Sequence, residues 1–158
     1  MASPRSIGNL IADEYVARLR RITLENGFSS DAGKQVKRGW GAMSYYATQE
    51  TNYPFCGISP GRIQVARRGD KDLRLSLQLE AVAIAKAGSE LSDNLMDLGL
   101  DMLSVLHDRQ GGERLDGLAI KNEIDDLVFN IPSDATPFGW VSVLIQTEFI
   151  HKIGGHHG

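Results

Sequence analysis

Few side chains in this sequence could do chemistry, and their spacing argues against most of it. Cys56 is the sole cysteine of 158 residues. An intrachain disulfide and a cysteine-based metal site are therefore excluded, which fits a reducing compartment. With His107 it would make a thiol–imidazole couple, the imidazole removing the thiol proton to create a nucleophile. Yet Cys56 lies in PFCGI, among apolar neighbours, where an inert buried thiol is the ordinary outcome. His107 falls near the end of an expected helix, a position that suits the helix dipole. Neither is expected to be catalytic.

Glu123, Asp125 and Asp126 supply carboxylates, but without the alternating oxygen ligands of a cation loop and without a histidine at metal spacing. They read as a solvated acidic face. His151, His156 and His157 gather at the C-terminus, where Gly154, Gly155 and Gly158 leave residues 154–158 as a flexible tail. No metal role is assigned to them. The stretch Gly57-Ile58-Ser59-Pro60-Gly61 reads as a turn, and neither GxGxxG nor GxxxxGK[ST] occurs. No cofactor is expected.

Two charged surfaces remain. Lys34, Lys37, Arg38, Arg62, Arg67 and Arg68 make residues 34–68 locally basic, with Trp40, Tyr45 and Tyr46 close by. Bases interleaved with aromatics can hold a nucleic acid. The whole chain, however, carries a net charge of -3, whereas dedicated nucleic-acid binders are usually basic. Residues 89–126 have the opposite sign: ten acids, including Glu90, Asp93, Asp97 and Asp101, stand against Arg109, Arg114 and Lys121. A basic and an acidic patch on one small domain can meet across a head-to-tail contact between copies.

These groups must be positioned by a small set of elements. Ile7, Ile11, Tyr15, Leu19 and Ile22 recur at helical spacing and predict a helix over residues 6–26, stopped by Asn26-Gly27. Leu10 and Leu24 fall off its stripe. Asp72 to Lys86, DLRLSLQLEAVAIAK, alternates with period two and predicts a long strand, whose outward set turns apolar at Val82 and Ile84. Residues 89–109 predict a second helix, capped by Ser89 or Ser92. Leu91, Leu95, Leu98, Met102, Val105 and Leu106 form one stripe of it. Met96, Leu100 and Leu103 form another, read as lying on the opposite side. A helix that covers one sheet face needs only one apolar stripe, so the second is expected to meet another layer or subunit.

Residues 140–153 alternate again and predict a C-terminal strand. Weaker strands are expected at residues 33–40 and 62–66, residues 118–131 are open between helix and strand, and residues 41–53 read as a mobile loop. The order predicts a single α+β domain over residues 1–158, an antiparallel or mixed sheet flanked by two main helices. Apolar residues at 42% and charged residues at 23% suit a globular chain. The N-terminus meets charge too early for a signal peptide, and no run of roughly 18 apolar residues is present to span a membrane.

In order along the chain, these features resemble the tail terminator family of tailed bacteriophages. The resemblance rests on an N-terminal helix ending in LRRI, the segment DAGKQVKRG, Glu50 and Pro54 ahead of the next strand, the strand LRLSLQLEAVAI, the second helix and the closing strand VSVLIQTEFIH. It implies a structural virion protein of the neck, not an enzyme, assembled in the host cytoplasm. It further implies a ring, taken as a hexamer, that caps the tail tube, ends tube polymerisation and offers a surface to head-completion or connector proteins. The tail sheath would be a further partner in a contractile tail, and DNA would only pass through the lumen. Another head–tail connector or tube-like ring protein, a small nucleic-acid-binding module, or a small enzyme using Cys56 or His107 are the competing readings. The interface residues expected are Lys34, Lys37, Arg38, Trp40, Arg62, Arg67, Arg68, Met96, Leu100 and Leu103.

Overall fold

A computed structural model describes residues 5–39, 53–107, 117–132 and 137–153. Trp40, residues 41–52 of the expected loop and the tail 154–158 lie outside the described residues. The elements run α1 (Ile7–Leu19), a single 3-10 turn (Ala32–Lys34), β1 (Val36–Arg38), β2 (Phe55–Arg68), β3 (Asp72–Lys86), α2 (Leu91–Leu106), β4 (Lys121–Asn130) and β5 (Phe138–Lys152). The chain is a single α+β domain. Its five strands form one mixed sheet in the order β1-β2-β3-β5-β4. β1 runs parallel to β2, and every other pairing is antiparallel.

The alternation of β3 decides which face is covered. Leu75, Leu77, Leu79, Ala81, Ala83 and Ala85 are buried under the helices. Three alanines in succession leave room for a helix to lie close to the sheet. Val82 and Ile84 point the other way and are equally buried, in a separate cluster with Phe55 and Phe138, against which Tyr53 and Trp140 pack. That second cluster accounts for the change of pattern at the end of the strand.

The first helix is shorter than its apolar spacing suggests. Ser6 caps it, its hydroxyl accepting from the Asn9 amide at 3.2 Å, but it ends at Leu19 and not at Asn26. Beyond Leu19, side chains compete for the backbone. The Thr23 hydroxyl accepts from the Asn26 amide, the Asn26 side chain donates to the Arg21 carbonyl, and Asp31 accepts from the Leu24 amide. Ile22 still reaches the core, but from a turn.

Gly33 closes this corner. Its amide donates to the Ile22 carbonyl at 2.7 Å. A Cβ there would stand 2.6–2.7 Å from the carbonyl oxygens of Leu19, Arg20 and Ile22.

Two further local expectations are corrected, and one left open is decided. Residues 57–61 are not a turn but part of β2, with a register shift between Pro60 and Arg62 that absorbs one extra residue. Proline and glycine are tolerated there because the site is a bulge on a sheet edge. Residues 118–131 contain the strand β4, because the free edge of β5 offers it a partner. The second helix is capped by Glu90 without a side-chain hydrogen bond, so neither Ser89 nor Ser92 is its cap. The weak strand expected at residues 33–40 is the three-residue β1, and that at 62–66 is the outer half of a 14-residue β2.

Two buried polar side chains tie the helices to the frame. Arg18, only 6% exposed, donates from Nη1 to the Leu106 carbonyl at 2.9 Å. It thereby satisfies a carbonyl at the last turn of α2 and places a positive charge at that helix's negative end. The Tyr15 hydroxyl lies 2.9 Å from Asn122 Oδ1 and 3.2 Å from Thr147 Oγ1, and the Thr147 hydroxyl also donates to Asn122. α1 is thus joined to both β4 and β5.

Because the Gly33 corner has no space for a methyl group, Gly33→Ala should destabilise the domain by about 2 kcal/mol or more, the scale of overpacking. Urea unfolding measures it. An unchanged midpoint would mean that the corner relaxes freely.

Candidate subunit interface

The groups that could have made an active site are far apart in environment. Cys56 lies on β2 facing the helices, fully buried. Burial pushes its thiol up to about 12, with a smaller contribution from Asp101. A thiol so protonated and enclosed is a poor nucleophile. His107 is the exposed C-cap of α2, its Nδ1 3.0 Å from the Leu103 carbonyl. Glu123, Asp125 and Asp126 are exposed on β4, and Glu123 pairs with Lys121 at 2.9 Å. His151 is exposed near the end of β5, while His156 and His157 lie outside the described residues. Among the described residues no three His, Cys, Asp or Glu side chains gather as a metal would require.

Depressions on the helix side include two that lie between elements. One of about 320 Å³ lies between the start of α2 and the ends of β2 and β3, with Lys86, Asp97, Asn94 and Tyr53 in its wall. The other, about 160 Å³, lies between α1 and β2 and includes Arg38, Ile63 and Leu77. Neither wall contains a cysteine or a histidine.

The basic segment is split into two groups. Arg38 turns onto α1, donating to Asp13 at 2.6 Å and to Asn9 at 2.8 Å, and Lys34 lies 3.5 Å from Asp31. Lys37, on β1, is half-buried. Arg62, Arg67 and Arg68 stand apart on the outer half of β2, all exposed, with no ion pair among the described residues. Ten residues of extended chain separate Ile58, beside β1, from Arg68, roughly 33 Å at strand rise. Sequence proximity had merged what the long hairpin separates.

α2 has the two apolar stripes expected, but they adjoin each other and are not opposed. The first is buried from Leu91 to Leu106. Met96 and Leu100 are 51% and 53% exposed, whereas Leu103 is half-buried and packs against the core. Gly99 shows which way the second stripe faces. A Cβ there would touch Leu127 and Val141 and lie 3.6 Å from Phe129. Met96 and Leu103, three before and four after it, share that side of the helix. Asp101 marks the other flank, accepting from Ser29 in the segment after α1. The exposed flank of α2 therefore faces the β4 side of the domain, where Phe129, Val128 and Ile131 are also exposed.

The opposite margin has an exposed apolar group of its own. Ile63 and Val65 on β2 are 55% and 47% exposed, and Ile7 and Leu10 of α1 are exposed as well. The sequence did not single out Ile63, Val65 or Phe129, because these apolar residues interleave with charges and each run is short. No protein-family model matches the chain, and no curated protein matches it.

The folded Cys56 thiol ionises at about 12, and an unfolded one near the ordinary 9.0. The neutral thiol therefore supports folding below pH 9, and this contribution is lost as pH rises from 9 towards 12. Tyr15, raised by burial above 10.0, adds a further loss at higher pH. Cys56→Ala should flatten the fall in melting temperature that begins just above pH 9. An identical alkaline profile in the variant would show that the thiol does not contribute.

Proposed function

We propose that this chain is a structural ring subunit of the tailed-phage neck, a tail terminator that caps the tail tube and presents a joining surface to the head. The observation that supports this reading is the exposed apolar flank of α2, Met96 and Leu100, on a helix whose Gly99 lies beside the likewise exposed Phe129 of β4. Exposed large apolar side chains gathered on one side of a domain point to a protein contact. The resemblance in the order of elements supplies the identity of the assembly: a homohexameric ring in the virion neck, with the tail tube protein and the head-completion or connector proteins as partners. In this reading DNA passes through the lumen without sequence-specific contact. The part played by the chain is mechanical, and Cys56 and His107 have no chemical role in it.

The flank and the core can be tested separately. Leu100→Asp should weaken self-association or joining to tail tubes by on the order of 2 kcal/mol, about thirtyfold, through burial of an unpaired carboxylate. It should leave monomer melting nearly unchanged, because Leu100 is exposed. Leu103→Asp should lower melting as well. Light scattering and electron micrographs of tails read the assembly. A wild-type protein that stays monomeric and never decorates a tail end would overturn the reading, as would loss of function in a well-folded His107→Gln variant. Tight DNA binding that weakens steeply with salt would favour the nucleic-acid module instead.

A further inference from the structure

The two margins of the sheet are unfinished in complementary ways. β1 pairs with β2 only at Cys56–Ile58. From Pro60 to Arg68 the side of β2 away from β3 has no strand partner among the described residues, and all nine residues are exposed. At the far margin β4 pairs only with β5 among the described residues, and the other side of Lys121–Asn130 has no strand partner among them. An unpaired strand edge is a row of amides and carbonyls ready to bind another strand.

We propose that the outer half of β2 in one copy of this chain pairs with β4 of the next copy, so that the sheet continues from subunit to subunit. The charges choose this pairing over the alternatives. The outer half of β2 has Arg62, Arg67 and Arg68 and no acid. β4 has Glu123, Asp125 and Asp126 against Lys121 alone. Two β2 edges would set arginines against arginines, and two β4 edges would set acids against acids. Only the unlike edges attract, and a contact between unlike edges is heterologous, the kind that generates rings or filaments.

The faces also correspond. Arg62 pairs with Gln78, Gln78 with Gln146, and Gln146 with Glu123, so the arginine and the glutamate end one row across one face of the sheet. On the other face Ile63 and Val65 align with the buried Leu77 and Leu75, and Ile124 and Phe129 align with the buried Ile145 and Val141. The exposed side chains of Ile63 and Val65 at one edge and of Phe129 at the other thus lie on the same, helix side of the sheet. Strand direction permits it: β2 and β5 run one way, β3 and β4 the other. A copy placed beside the first in the same sense therefore sets β4 antiparallel to its β2.

This inference deepens the ring reading, and its test separates the two. Arg62→Glu and Glu123→Arg are made singly, together in one chain, and as an equimolar mixture of the single variants. Each single variant should associate at least about tenfold more weakly than wild type, because it puts an additional like charge into the contact between the two edges. The mixture and the double variant should recover, since every contact again joins opposite charges. Hydrogen exchange on the assembled wild type should slow across residues 62–68 and 121–130 relative to dilute protein. Rings that persist unchanged in both single variants would overturn the edge pairing and leave the ring reading standing. Recovery of open filaments in place of rings would uphold the pairing and overturn the ring. A wild type that is monomeric at every concentration would overturn both.

Discussion

Leu75, Leu77, Leu79, Ala81, Ala83 and Ala85 lie in one file on the central strand, and both helices rest on that file. Each fully buried leucine contributes about 1.5–3 kcal/mol. The alanines matter for a different reason, since their small side chains let the first stripe of α2 pack close to the backbone of the sheet. α2 cannot rotate about its axis without lifting Leu95, Leu98 and Met102 out of this surface. The direction of its second flank therefore follows from the packing of the first.

The polar side chains inside this frame serve orientation. Arg18 is held by a backbone carbonyl of α2 and lies over the Tyr15 ring at 5.8 Å. Tyr15 in turn reaches strands that come more than a hundred residues later in the chain. Satisfying these groups requires both helices and the β4–β5 pair to be in place together. Such networks penalise a shifted register, because a displaced partner leaves a buried polar atom unpaired.

Burial is complete at the centre of the sheet and fades towards both margins. β2 is buried over Phe55–Ile58 and exposed from Pro60 onwards, and β4 keeps only alternate side chains partly covered. Bulges in β2 and β4 and charged side chains along both edges protect against indiscriminate strand pairing. These charges are opposite in sign on the two margins, basic along the outer half of β2 and mainly acidic along β4.

How much of this was legible in the sequence depends on the range of the interactions involved. The alternation of Asp72–Lys86 and of the closing strand, and the buried stripe of α2, are local periodicities, and they specified those elements nearly to the residue. The character of Cys56 was also local, since PFCGI already placed the thiol among apolar neighbours. The end of α1 depended on hydrogen bonds from Thr23, Asn26 and Asp31 that outweigh its apolar spacing. The strand β4 depended on a partner edge, because a short acidic segment has no periodicity strong enough to choose its own state. The basic residues between Lys34 and Arg68 looked like one patch because chain distance is short, but β2 is extended, and extension carries Arg62, Arg67 and Arg68 away from Arg38. Periodicity determined which side chains share a face. Only the tertiary structure decided which faces and edges stay open, because that depends on what the rest of the chain leaves uncovered.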